Sequence, residues 1–301
     1  MKLSTVDAFK RINTDTDTCI ILDDELLHRY QKAILKIAED IVSVCEQENI
    51  TWHLTGGTAL GAVRHHGFIP WDDDIDLDIL GNDFDRFVNA FRKKFGDKYW
   101  IHTCDTPNYG MVTYRVRLKD SIFRAREDLE NDEAGFYVDI NRIENTFNNP
   151  LLRYIHGISC MGMGFFLSCR NFFKNRKLMV KLSKTNPDLR TVFIFKIVVG
   201  ALLSFRSVTD WTILTQNCYA LCKNNQSSYV SVPAGRKHYF GELYRRRDFV
   251  ETAPMEFEGH IWKVPKEYDA YLHHMYGDYM KIPKESDRER HILLELKFPE
   301  E

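Results

Sequence analysis

The chain has no large excess of either charge. Its 301 residues carry 41 Lys and Arg against 43 Asp and Glu, a formal net charge of −2. That balance argues against a general nucleic-acid surface, which needs a marked basic excess. Long apolar runs are also lacking. Two shorter ones stand out, 155–169 and 192–205, but a spanning helix needs roughly 20 apolar residues, and Lys196 interrupts the second run. The seven cysteines are an odd set without any CxxC spacing. A reduced protein is therefore expected rather than a disulfide framework. Residues 1–10 are polar, without the apolar centre of a cleavable leader, so the cytoplasm is the expected location. No internal repeat and no low-complexity segment occurs. Length alone suggests about two domains.

What the chain does have is one dense stretch, residues 54–81, LTGGTALGAVRHHGFIPWDDDIDLDILG. Around it the pattern divides the chain. Residues 1–22 read as a loosely held arm. Asp23, Asp24 and Glu25 put acid at a helix start, where the helix dipole favours it. Leu27, Tyr30, Ile34, Ile37, Ile41 and Val44 recur at helical spacing, which predicts an amphipathic packing helix over 24–49. Residues 50–54 read as a strand, 58–65 as a short helix and 74–80 as a strand. Asn82 is expected to cap a helix that carries Phe84, Phe87, Val88, Phe91 and Phe95. Residues 99–104 and 111–118 read as strands about a Pro107-Asn108-Tyr109-Gly110 turn, and 136–140 as another. Residues 149–225 read as helical, apolar and basic. Further on, 229–232 reads as a strand, 256–264 as a hairpin turning at Glu258-Gly259-His260, and 267–280 as an aromatic-rich helix.

The chemistry starts at the glycines. Gly56-Gly57 between strand and helix lets backbone amides approach a phosphate, with the helix N-terminus adding positive character. A glycine pair is also an ordinary turn, so it needs support. The acids supply it. On a strand, Asp74, Asp76 and Asp78 share a face and repel one another unless a cation neutralises them. Oxygen ligands of this kind suit Mg²⁺ or Mn²⁺. A solvated edge strand is the plainer reading, and the apolar Ile75, Leu77 and Ile79 on the other face weigh against it. An EF-hand loop counted from Asp74 fails, because its sixth position needs Gly and holds Ile79. Asp139, alone among apolar residues in a later strand, either joins this site or pairs with Arg115 or Arg117.

These residues carry a resemblance. Gly56-Gly57, Asp74-Ile75-Asp76 and the later Asp139 resemble the nucleotidyltransferase superfamily. The longer string GGTALGAVRHHGFIPWDDDIDL resembles the LicD family of phosphotransferases, which includes phosphocholine transferases and, more distantly, the fukutin-related enzymes. Tyr276-Gly277-Asp278-Tyr279-Met280 with Pro283 resembles that family's end motif, although Arg290-His291 stands where its pattern has a His pair. The likeness spans roughly residues 25–295 and thins across the basic middle.

The resemblance implies an α+β fold, a nucleotidyltransferase-like mixed sheet with flanking helices and a helical insertion. The implied parts are the arm (1–22), a catalytic core (23–148), the basic helical subdomain (149–225) and a C-terminal part (226–301) that completes the domain. The implied reaction moves a phospho-alcohol such as phosphocholine from a CDP-alcohol to a glycan hydroxyl, releasing CMP. Asp74, Asp76 and Asp139 would hold Mg²⁺ or Mn²⁺ and carry the catalysis, Asp139 completing the metal site or taking the proton from the hydroxyl. Asp72 and Asp78 would be outer residues, with Asp73 pointing away. Gly56, Gly57 and Thr58 would meet a phosphate. Arg64 would neutralise charge on departing CMP, or instead pair with the acidic row. Arg115 and Arg117 would reach the cleft, or instead lie, with Lys119, on a solvated face. His65, His66, His273 and His274 read as supports or surface residues. The rivals are an Asp-x-Asp glycosyltransferase using a nucleotide sugar, which has no need of the glycine pair, and a non-catalytic membrane-surface module. The basic segment either packs on the sheet or touches a membrane or a lipid-linked glycan.

Overall fold

The computed structural model describes residues 20, 22–125, 128, 131–185, 187–284, 288 and 293–299. The 1–22 arm, but for Ile20 and Leu22, and His291 lie outside them. The first helix, α1 (Asp24–Gln47), begins at Asp23, whose carboxylate accepts from the Leu26 amide at 2.8 Å. Its stripe of Tyr30, Ile34, Ile37 and Ile41 is wholly buried. Short β1 (Trp52–Leu54) leads into α2 (Gly56–His65), and β2 (Asp76–Leu80) follows the acidic loop. A 3-10 turn at Gly81–Asp83 then enters α3 (Phe84–Phe95). Asn82 is not the cap: it lies inside that turn, and its side-chain oxygen accepts from Asn145. Phe84, Phe87 and Phe91 of α3 are buried edge to edge, facing the sheet.

Then come β3 (Tyr99–His102), β4 (Tyr114–Leu118), β5 (Ile122–Ala125) and β6 (Tyr137–Asn145). Four helices make the insertion: α4 (Pro150–Lys174), α5 (Arg176–Thr185), α6 (Pro187–Leu202) and α7 (Val208–Tyr219). After it lie β7 (Tyr229–Ser231), α8 (His238–Gly241), β8 (Leu243–Arg245), α9 (Arg246–Phe249), the hairpin β9 (Thr252–Phe257) and β10 (His260–Pro265), α10 (Tyr268–Tyr276) and β11 (Leu293–Lys297). The hairpin turns on Glu258 and Gly259, both at positive φ, as a tight hairpin turn requires.

The main sheet runs β1-β2-β6-β4-β3, with β7 on the far half of β6 and β8 on β7. The β2–β6 pair is parallel and every other pair in it antiparallel, so this is the expected α+β fold with a mixed sheet. The parallel register sets Asp76 beside Asp139. One apolar cluster extends from Tyr30 to Leu293, so the C-terminal segments share the core of the first half. The insertion helices have smaller clusters of their own, around Phe172 and Phe193 and around Cys160 and Tyr219.

Three details differ from the sequence reading. Strand β2 starts at Asp76 rather than residue 74, so Asp74 belongs to the loop before it and not to a strand row. Helix α10 ends at Tyr276, because Gly277 leaves the helical region at φ 73°. Strands β5, β8 and β11 carried no clear alternation, and pairing alone makes them strands.

Candidate active site

The site forms where β1, α2, the acidic loop, β2 and β6 converge. Gly56 sits at φ 55°, the left-handed region that glycine enters without a Cβ penalty. A Cβ at Gly56 would lie 2.9 Å from Asp76 Oδ2, and one at Gly57 the same distance from Asp72 Oδ2. Two carboxylates therefore press against the bare backbone of the α2 N-terminus. The glycines are needed for that close approach as well as for the turn.

The loop before β2 gathers its acids. Ligand oxygens of Asp72, Asp73 and Asp74 all lie within 4.8 Å of one another. Asp73 is buried and belongs to this group, which corrects the expectation that it points away. Burial pushes the Asp72 carboxyl well above its ordinary range, and the charges of Asp74, Asp73 and Asp76 push it further. Helix α1 anchors the loop: Gln31 Nε2 donates to the Asp72 carbonyl at 2.8 Å. The Tyr30 hydroxyl is buried close to Asp73 and Asp74, whose charges, after burial, raise its pKa.

Asp139 lies across from Asp76 and accepts from Arg115 through both oxygens, at 2.6 and 3.2 Å. Of the two sequence readings of Asp139, the pairing with Arg115 is observed, and the strand register also sets it beside Asp76. Neither Arg115 nor Arg117 lies on a solvated face. Arg117 is fully buried, donates twice to Asp128 and reaches the Gly135 carbonyl. Its expected place in a substrate cleft is thereby corrected, because its guanidinium is spent inside. Burial would raise the Asp128 carboxyl, yet Arg117 and Arg115 together hold it below the usual range. Lys119 turns to the Gly96 carbonyl. Thr58 is buried too; its hydroxyl accepts from the Asp76 amide at 2.8 Å, which fixes the start of β2.

Helix α10 reaches back over the glycines. Tyr271 Oη accepts from the Gly56 amide at 2.9 Å and bonds Thr55 Oγ1 at 2.8 Å. The Gly56 amide is thus already engaged. Arg64 is held by Nη1 donating to the Tyr279 carbonyl at 2.6 Å and by Nε donating to His65 Nε2. It feels the charge of Asp72, although burial lowers its pKa. His65 is a support, as its pairing with Arg64 shows. Tyr276, in the end motif, lies within electrostatic range of Asp76, Arg236, Asp72 and Asp74. Arg236 is exposed and was not singled out in the sequence; no spacing ties it to the acids, and only the chain's return through β7 and α8 brings it there. Arg288 stacks on Trp71 at 4.2 Å, beside the acidic loop.

Below this cluster lies a second acid group. Asp78 is wholly buried on β2, near Glu242, and burial raises its carboxyl well above the ordinary range. Glu242 accepts from the Lys237 amide and is pushed by burial to about 7. Neighbouring His53 is buried and lowered to about 4, so it is neutral. These groups are buried together in the interior beneath the glycine turn.

The acids, the glycine pair and Asp139 fall inside residues 49–149, which match the LicD/FKTN/FKRP nucleotidyltransferase domain. That part of the chain is a nucleotidyltransferase domain. Over 281 residues the chain is 28% identical to the lipopolysaccharide cholinephosphotransferase LicD of Haemophilus influenzae, covering 89% of this chain and 97% of that protein. A stretch of 52 residues is 42% identical to the ribitol 5-phosphate transferase FKRP of Homo sapiens, 17% of this chain and 10% of that one. A stretch of 70 residues is 34% identical to an uncharacterized protein of Rickettsia prowazekii, 21% of this chain and 26% of that protein. Residues 49–149 thus carry the LicD/FKTN/FKRP nucleotidyltransferase domain, and over most of its length the chain is similar to a LicD protein.

Proposed function

We propose that this protein transfers a phospho-alcohol from a CDP-alcohol to a hydroxyl of a glycan and releases CMP. The two relatives named for phospho-alcohol transfer, one of phosphocholine and one of ribitol 5-phosphate, support the reaction class. The observation that carries it to this chain is the acid cluster set against the bare backbone of Gly56 and Gly57. Crowded carboxylates at the mouth of a glycine turn are unfavourable unless a cation and a phosphate complete them.

The donor set is all carboxylate oxygen, which fits a hard divalent cation such as Mg²⁺ or Mn²⁺. Asp74, Asp76 and Asp139 would hold it, with Asp72 and Asp73 close by. Bound there, the ion would neutralise charge on the donor diphosphate. The chain's own groups do the rest. The acceptor oxygen bonds to the phosphorus that bears the alcohol, and the bond to the bridging oxygen breaks, so that oxygen leaves with CMP. Asp139, oriented by Arg115, completes the oxygen set or takes the proton from the hydroxyl. Arg64 and Arg236 would meet phosphate oxygens as charge moves onto CMP.

The test is a donor panel of CDP-choline, CDP-ribitol, CDP-glycerol and UDP-sugars, each with Mg²⁺, Mn²⁺ or chelator. Release of CMP from a CDP-alcohol, lost on chelation, is the expected result. Turnover of UDP-sugars alone would replace this reading with a glycosyltransferase.

A further inference from the structure

The insertion helices show an inverted polarity. On α4, Leu151, Tyr154, Ile155, Ile158 and Met161 are exposed along one helical stripe. On α6, Ile194, Phe195, Val198 and Leu202 repeat that pattern, and Phe205 extends it. Leu202 and Phe205 are more than 70% exposed. The helices pack side by side, with the Phe165 and Phe195 rings 6.4 Å apart, so the two stripes merge. The charged residues within them turn the other way. Lys196 is buried, donates to Ser168 Oγ and lies over the Phe172 ring. Arg170 is buried and donates to the Gly200 and Arg206 carbonyls. Single exposed apolar residues need no explanation, but a continuous face from which the charges are withdrawn does.

Charge complementarity identifies what covers it. Between residues 150 and 210 the sequence holds ten Lys and Arg against two Asp, in a chain whose net charge is −2. Arg176, Lys177, Lys181, Arg190 and Arg206 are exposed about these helices. A symmetric pair of copies would bring these basic groups together, which is unfavourable. No helix among the described residues is long and apolar enough to cross a membrane. We infer that the α4–α6 face docks on an anionic lipid bilayer, lying in the interface with its basic residues on the headgroups.

The face also touches the segment that carries Arg236. Phe240 of α8 is exposed, lies with its ring 5.7 Å from that of Tyr154 of α4 and follows Arg236 by four residues. The segment carrying Arg236, whose charge reaches Tyr276, therefore rests on the edge of the docking face. Resting on the proposed reaction, this arrangement suits an acceptor glycan anchored in that lipid surface.

The test is flotation of the full chain with vesicles of phosphatidylcholine alone and with added phosphatidylglycerol. Binding to the anionic vesicles, weakened by salt, is expected. Leu202→Asp with Phe205→Asp should lower it by about tenfold or more, and Lys177→Glu with Lys181→Glu should also lower it. CMP release from a soluble CDP-alcohol should be unchanged in both variants. Wild-type chain that leaves anionic vesicles untouched would overturn the inference. So would a dimer in sedimentation that Leu202→Asp with Phe205→Asp dissolves, because a second copy would then cover the face. Vesicle binding without any CDP-alcohol turnover would instead overturn the proposed reaction and leave the docking face standing.

Discussion

Gly56 shows how narrow the tolerance at this site is. Its φ of 55° costs a residue with a side chain about 1–2 kcal/mol, and the added methyl would meet Asp76 Oδ2 at 2.9 Å. Gly56→Ala should melt lower and, by displacing the Asp76 carboxylate, slow CMP release by about a hundredfold. A thermal melt and an initial-rate assay would check both. Glu242 gives a prediction of a different kind. Its carboxyl is raised from its ordinary 4.5 to about 7 by burial. The folded chain thus keeps a proton that the unfolded chain releases. Glu242 costs nothing below about pH 4.5, and stability falls as pH rises through 7, by up to about 3 kcal/mol. The groups facing it are Asp78, shifted in the same direction, and Lys237. Glu242→Gln should flatten the fall in denaturant midpoint between pH 5 and pH 8. Equal slopes for both proteins would contradict this.

Among the elements, α10 has the least obvious role. In sequence it is an aromatic helix, and its spacing suggests packing alone. In space, Tyr271 ties it to Thr55 and Gly56, while the Tyr279 carbonyl just beyond it holds Arg64. A helix some 215 residues away, with the residues just beyond it, thereby fixes both the glycine turn and Arg64. Tyr271→Phe removes the acceptor of the half-buried Gly56 amide, at a cost of about 1 kcal/mol. The melting temperature should fall, and CMP release should fall with it at a temperature where the variant is fully folded. Full activity in a folded Tyr271→Phe would show that the turn needs no such tether.

At the scale of the whole molecule, legibility followed locality. Helices α1 and α3 were plain in the sequence because their apolar stripes recur within a few residues. The glycine pair and the acids were plain because they crowd into one loop and its flanking elements. Asp139 was readable as a lone acid in an apolar strand, and the parallel β2–β6 register puts it beside Asp76. What could not be read depended on long-range pairing. Arg117 looked like a cleft residue because alternation on β4 is the same whether a strand faces solvent or Asp128. Asp73 looked outward because the acids were counted as one strand, whereas the strand begins at Asp76 and the loop before it folds Asp73 inward. Arg236 carried no local signal at all. The central claim is that the acid cluster works as a metal-dependent phospho-transfer site. Asp76→Asn tests it most directly, by Mg²⁺-dependent release of CMP from CDP-alcohols alongside a thermal melt. The account predicts a folded variant whose turnover is lower by about a hundredfold or more. Wild-type turnover in that variant would contradict it.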